Sequence, residues 1–159
     1  MKYNRYAVFG GDERFEVLAN LLAGEGANVI SVLQEGSSLH PDVFRCDLPT
    51  ALSISDVLIL PLPVSTDGTH LNAPVGNLPL SDIVAQCDSE KVILGGKIPG
   101  WFVSECKVKG IRCEDYFERE EFQILNVIPT VEGAIEIAMR ETKTTLHGMT
   151  VLVTGYGRI

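Results

Sequence analysis

Between Tyr6 and Leu33 the chain spells a strand, a tight turn, a helix and a second strand, and that order leaves few folds open. Tyr6-Ala7-Val8-Phe9 is a short apolar run, and Gly10-Gly11-Asp12 after it is a turn ending in a good N-cap residue. Phe15, Leu18, Ala19, Leu22 and Ala23 then fall at i, i+3, i+4, i+7 and i+8, the stripe of a helix packed on a sheet. Gly24 and Gly26 stop it, and Ala27 to Leu33 reads as the next strand. A βαβ unit of this kind is parallel and right-handed.

The alternation continues. A weaker edge segment at Val43-Phe44-Arg45-Cys46 leads to a short helical piece at Thr50–Ile54, then to Val57-Leu58-Ile59-Leu60, an apolar run typical of the buried middle of a parallel sheet. Further on come a helix over Leu80–Cys87 capped near Ser81, a strand at Lys91–Leu94 ending in Gly95-Gly96, a helix over Trp101–Val108 and a strand at Ile111–Cys113. Glu114–Phe122 reads as a loop and a helical turn. The fold class is α/β, a flavodoxin-like or Rossmann-like doubly wound parallel sheet of about five strands in the order 2-1-3-4-5. Pro61–Pro79 interrupts the pattern with prolines, glycines and no periodicity, and connections of that length are usually functional or mobile.

Pro129-Thr130 opens a linker helix with Thr130 as N-cap. Val131, Ala134, Ile135, Ala138 and Met139 form its apolar stripe, and Glu136 and Arg140 pair at i,i+4. Val151-Leu152-Val153-Thr154 then runs into Gly155-Tyr156-Gly157-Arg158, the first strand and turn of a dinucleotide-binding motif. The third glycine, the following helix and the acidic ribose-binding residue are not in these 159 residues. The expected layout is a substrate-type α/β domain over 1–128, a linker helix over 129–146, and over 147–159 one orphan strand and turn of a truncated dinucleotide-binding domain.

A net charge of -8 and no Lys/Arg stripe disfavour nucleic acid. No apolar run approaches the roughly 18 residues of a membrane span, and no basic, then apolar, leader opens the chain, so a cytoplasmic protein without membrane contact is expected. Cys46, Cys87, Cys106 and Cys113 form no Cys-x-x-Cys pair, and His40, His70 and His147 are scattered. No metal site is expected, only reduced and mostly buried thiols.

Candidate site residues follow from position. Arg14, at the mouth of the first strand, is a possible carboxylate fork, although Asp12 and Glu13 beside it would repel a pyrophosphate and Asp12 has ordinary capping work to do. Ser65 and Thr66 leave the C-terminal end of a central strand, where α/β sheets bind ligands, or they satisfy only their own loop. Lys97 follows Gly95-Gly96 at another strand end. Asn126 and Thr130 flank a proline turn, and Gly133 in the following helix asks for a close neighbour.

Taken together, Val8-Phe9-Gly10-Gly11-Asp12-Glu13-Arg14, Leu60-Pro61-Leu62-Pro63-Val64-Ser65, Phe117-Glu118-Arg119, Asn126-x-Ile128-Pro129-Thr130-Val131-Glu132-Gly133-Ala134 and His147-Gly148 before Gly155-x-Gly157-Arg158 resemble the A subunit of dipicolinate synthase. The resemblance implies a substrate-type domain ahead of a Rossmann domain, and NAD(P)-dependent oxidation of dihydrodipicolinate, or its hydrated precursor, to dipicolinate during sporulation. It implies a small dicarboxylate substrate, held by Arg14, Lys97, Arg119 and the Thr130 helix start, and Glu132 or His147 as the base. Gly155, Gly157 and Arg158 would belong to the incomplete cofactor motif. A flavoprotein-like B subunit of the same synthase is the implied partner, a homo-oligomer is possible, and the mother cell of a sporulating bacterium is the implied location. These 159 residues alone are expected to bind no dinucleotide and to be inactive. Two alternatives stay open: the substrate domain of a formate dehydrogenase or adenosylhomocysteine hydrolase-like enzyme, and a non-catalytic receiver-like module.

Overall fold

Six short strands zip into one parallel sheet, apolar and buried at its centre and polar at its two edges. The computed structural model describes residues 4–36, 38–155 and 157. Strands β1 (Arg5–Phe9), β2 (Asn28–Val32), β3 (Val43–Arg45), β4 (Val57–Ile59), β5 (Val92–Gly95) and β6 (Arg112–Asp115) lie in the order β3-β2-β1-β4-β5-β6. All five pairings are parallel. The sheet thus has six strands where about five were expected. The weak segment at Val43–Arg45 joins as an edge strand, with three residues paired to β2. Without β3 the remaining order is the expected 2-1-3-4-5; with it, the order is that of a Rossmann sheet, reversing between β1 and β4.

Alternation along the strands separates two cores. Val8, Val29, Val57, Ile59 and Val92 face helix α1 (Glu13–Gly24) through Phe15, Ala19 and Ala23. Ala7, Phe9, Ile30, Leu58, Leu60 and Ile93 face helices α2 (Leu48–Ile54), α3 (Leu80–Gln86) and α4 (Gly100–Val108) on the other side. Asp12 and Asp47 cap α1 and α2, but α3 starts at Pro79 with no side-chain cap, so Ser81 does not play the part expected of it.

Residues 61–79 are ordered, although no periodicity foretold it. Val64 N–H donates to Gly96 O (2.8 Å), Leu71 N–H to Leu78 O (2.8 Å), Asn72 N–H to Val64 O (2.8 Å) and Leu80 N–H to Thr69 O (2.9 Å). Val64 and Leu71 are buried among the core side chains of α3 and α4. Two apolar anchors and non-local backbone bonds hold this loop, and neither leaves a periodic trace.

Contacts divide the chain into two compact units, Met1–Phe117 and Glu118–Ile159. The first closes ahead of the boundary expected at 128, because helix α5 runs from Glu120 to Glu141 and does not wait for Thr130. Pro129 lies inside it, and Thr130, expected as the N-cap, donates its hydroxyl to Asn126 O (2.7 Å), one turn back. A proline disfavours helix in the residue before it without forbidding it. The Glu136–Arg140 pair forms at 2.9 Å. By length and composition α5 is the one described helix that would meet a membrane-span criterion, a test that soluble helices also pass. Val151 to Gly155 form no strand and have no pairing partner among the described residues, so the expected orphan strand is not formed. A strand needs a neighbour to pair with.

Candidate functional site

The ligand end of an open parallel sheet is the C-terminal rim of its strands, most often where the strand order reverses. Here that crevice, between β1 and β4, is filled by the chain itself. Gly11 N–H donates to Asn72 O at 2.8 Å. A Cβ on Gly10 (φ +46°) would lie 2.6 Å from that same carbonyl oxygen and 2.9 Å from Ala73 Cβ. Gly10 makes room for the 61–79 loop and Gly11 bonds to it, where a phosphate loop would admit a pyrophosphate. Asp12 accepts the Arg14 N–H (3.1 Å) at the start of α1, placing a carboxylate where phosphate would have to sit. The residues of this turn do not fit a dinucleotide. Gly155 and Gly157 are exposed, and Arg158 lies outside the described residues.

The rim beyond the crevice carries cations and an aromatic pair. Arg14 forks onto Asp12, Nε to Oδ1 at 2.8 Å and Nη2 to Oδ2 at 2.7 Å. The hydrogen-bonded pair lowers the Asp12 pKa and raises that of Arg14, and both side chains stay well exposed. Tyr116 stands near enough to feel the Arg14 charge, and its hydroxyl donates to Leu60 O at 3.1 Å. Burial first, and Asp115 second, push the phenol above its ordinary pKa against the opposing pull of Arg14. Asp115 ties the neighbouring turns together, accepting from Lys97 N–H (3.2 Å), Ile98 N–H (2.8 Å) and Phe117 N–H (2.8 Å). Those bonds help hold Lys97 at φ +54°, a left-handed conformation unusual for lysine, with its ammonium 4.8 Å above the Phe117 ring.

Ser65 sits alongside, because Val64 bonds to Gly96 immediately before Lys97. Its hydroxyl donates to Asp67 Oδ1 (3.0 Å) and accepts from Gly68 N–H (2.9 Å), while Thr66 is exposed. Ser65 therefore carries part of its loop's own bonding. Arg14, Ser65 and Lys97 each follow the C-terminal end of a strand of the same sheet, β1, β4 and β5. Arg119, Asn126, Thr130, Glu132 and His147 belong to the second unit. Arg119 takes the N-cap position of α5, Asn126 and Thr130 lie within that helix and form no helix start, and Glu132 and His147 are exposed. Tyr116, Asp67 and His70 are candidate residues that sequence reasoning misses; the last two lie three residues apart in the one segment without a pattern and bond to each other, His70 Nδ1 to Asp67 Oδ2 at 2.9 Å.

All four cysteines are free thiols; Cys87 and Cys106 are buried, Cys46 and Cys113 half-buried. No cluster of three metal-ligating side chains occurs among the described residues.

Comparison with known proteins agrees with this architecture. The dipicolinate synthase A subunit of Bacillus subtilis (strain 168) is 27% identical over 162 residues, covering 97% of this chain and 54% of the relative. The crystal structure of dipicolinate synthase, A chain, from Bacillus subtilis superposes with a TM-score of 0.72 at 25% identity, over 90% of this chain and 50% of that one. The corresponding dipicolinate synthase protein from Bacillus halodurans gives a TM-score of 0.81 at 23% identity, over 99% and 56%. The chain thus spans about half the length of the relatives it matches. The family described as the N-terminal domain of the dipicolinate synthase A subunit matches residues 5–117, the same stretch that forms the sheet unit, and the chain belongs to that family.

Proposed function

We propose that residues 5–117 are the substrate-side domain of a dipicolinate synthase-type oxidoreductase, and that their C-terminal rim binds a pyridine-type dicarboxylate. One observation carries the reading. The crevice that would take a dinucleotide is closed by Asn72 and Ala73, and the rim beside it presents Arg14 and Lys97 around Tyr116 and Phe117. A dianion with two carboxylates on a flat ring matches two cations and an aromatic edge. Arg14 would have to share its fork with Asp12 or turn from it, and Lys97, stacked on Phe117, is the stronger contributor.

The whole-protein activity, NAD(P)-dependent oxidation of dihydrodipicolinate or its hydrated precursor during sporulation, rests on the family, as do the flavoprotein-like B subunit of the synthase as partner and the cytoplasmic, mother-cell location. Dinucleotide binding is assigned to sequence that the relatives have and these 159 residues do not span.

Isothermal titration of the chain with pyridine-2,6-dicarboxylate in metal-free buffer should show saturable binding. Lys97→Ala should weaken it about tenfold, the loss of one charge-assisted contact. Absence of saturable binding up to millimolar ligand would remove the reading.

A further inference from the structure

We infer that Asp67 and His70 form a proton-accepting dyad for the dicarboxylate ligand of this domain, with His70 Nε2 as the accepting atom. The inference rests on the reading of residues 5–117 as a dicarboxylate-binding domain. Asp67 is held by backbone: Thr69 N–H donates to Oδ1 at 2.7 Å and His70 N–H at 2.8 Å, and the Ser65 hydroxyl adds a third bond at 3.0 Å. Its second oxygen, Oδ2, stands 2.9 Å from His70 Nδ1. An ionised carboxylate only accepts, so Nδ1 carries the proton, and Thr69 Oγ1, 3.0 Å away, shares it as a second acceptor. In the neutral ring that fixes Nε2 as a bare lone pair.

The turn bearing this pair is anchored from both sides. Trp101 Nε1–H, from α4, donates to Gly68 O at 2.8 Å, and Val64 N–H ties the loop's entry to Gly96, next to Lys97. The imidazole is thus mounted on a turn tied at Gly96 and at Trp101, the two ends of the segment that carries Lys97. A ring C–H proton passes to Nε2, forming an imidazolium N–H balanced by Asp67. The electron pair of the broken bond delocalises into the adjoining C=N–carboxylate system, and no oxidant is needed for this half of the chemistry.

Long-range 1H–15N spectra of the 15N-labelled chain at about pH 8 test the geometry. His70 should show the Nδ1–H tautomer, Asp67→Asn should lose it, and pyridine-2,6-dicarboxylate should move the Nε2 signal as it saturates. In D2O, the chain should speed deuterium exchange into the ring of freshly generated dihydrodipicolinate, and His70→Gln should reduce that gain at least about tenfold, the low end for a general base. An Nε2–H tautomer, saturation with His70 silent, or exchange unaffected by His70→Gln would overturn the dyad and leave dicarboxylate binding standing. No binding at all would bring down both.

Discussion

Asp67 shows how far one carboxylate can organise a segment that has no periodic structure. Hydrogen bonds from His70 N–H and then Thr69 N–H, followed by the His70 ring, hold its pKa well below the ordinary carboxylate range. Because the folded pKa is depressed, the stabilisation is complete above the unfolded value of about 3.9 and is lost as pH falls below it. Asp67→Asn should therefore lower the melting temperature at pH 7, and the gap from the parent chain should narrow below about pH 4. Thermal melts at the two pH values check this, and a gap independent of pH would show that the carboxylate charge is not what matters. At this scale the sequence is half legible. Arg14, Ser65 and Lys97 can be picked out because each follows a recognisable strand. Tyr116 cannot, since its partner is the Leu60 carbonyl, far away in the chain, and Asp67 and His70, though they bond to each other and to Thr69 locally, lie in a segment with no periodicity to mark them.

The loop over 61–79 and the turn after β1 make a single lock. Gly10 at φ +46° has no room for a side chain beside the Asn72 carbonyl, and Gly11 at φ +76° has none beside Phe15. Gly10→Ala combines strained backbone with a clash against main chain, and should cost about 2–4 kcal/mol. Chemical denaturation measures it; a cost below about 0.5 kcal/mol would mean that the loop moves aside freely. The helices are legible wherever an apolar stripe meets a cap, as in α1. The start of α5 is not, because Pro129-Thr130 carries the local signature of a helix entry, whereas the helix is already under way from Glu120. Edge strand β3 is only faintly legible, three residues long with Phe44 72% exposed. An edge strand has one neighbour and one buried face at most, so little of its sequence is constrained.

For the molecule as a whole, every described strand lies within residues 5–115 and the family match ends at 117. Residues 1–117 expressed alone should unfold cooperatively and keep the dicarboxylate affinity within about threefold, by urea titration and calorimetry. Non-cooperative melting would show that residues from Glu118 onward are needed for the sheet unit. The second unit has another character: Leu125, Ile128, Ile135 and Met139 are all about half exposed or more, so removing it should also reduce self-association seen by sedimentation.

The same closed crevice bears on how such a protein could be re-engineered. A Rossmann strand order invites the idea that a nucleotide site can be restored by rewriting residues 10–15 into the glycine-rich consensus. In this chain those substitutions would change the doorway and leave the room occupied, because Asn72 and Ala73 arrive from more than sixty residues downstream. Acquiring a nucleotide site would require deleting or rerouting the loop, and that would also dismantle the turn that carries Asp67 and His70. Substrate-side chemistry and dinucleotide binding compete here for one piece of chain, so a descendant of this domain could gain the second only by surrendering the first.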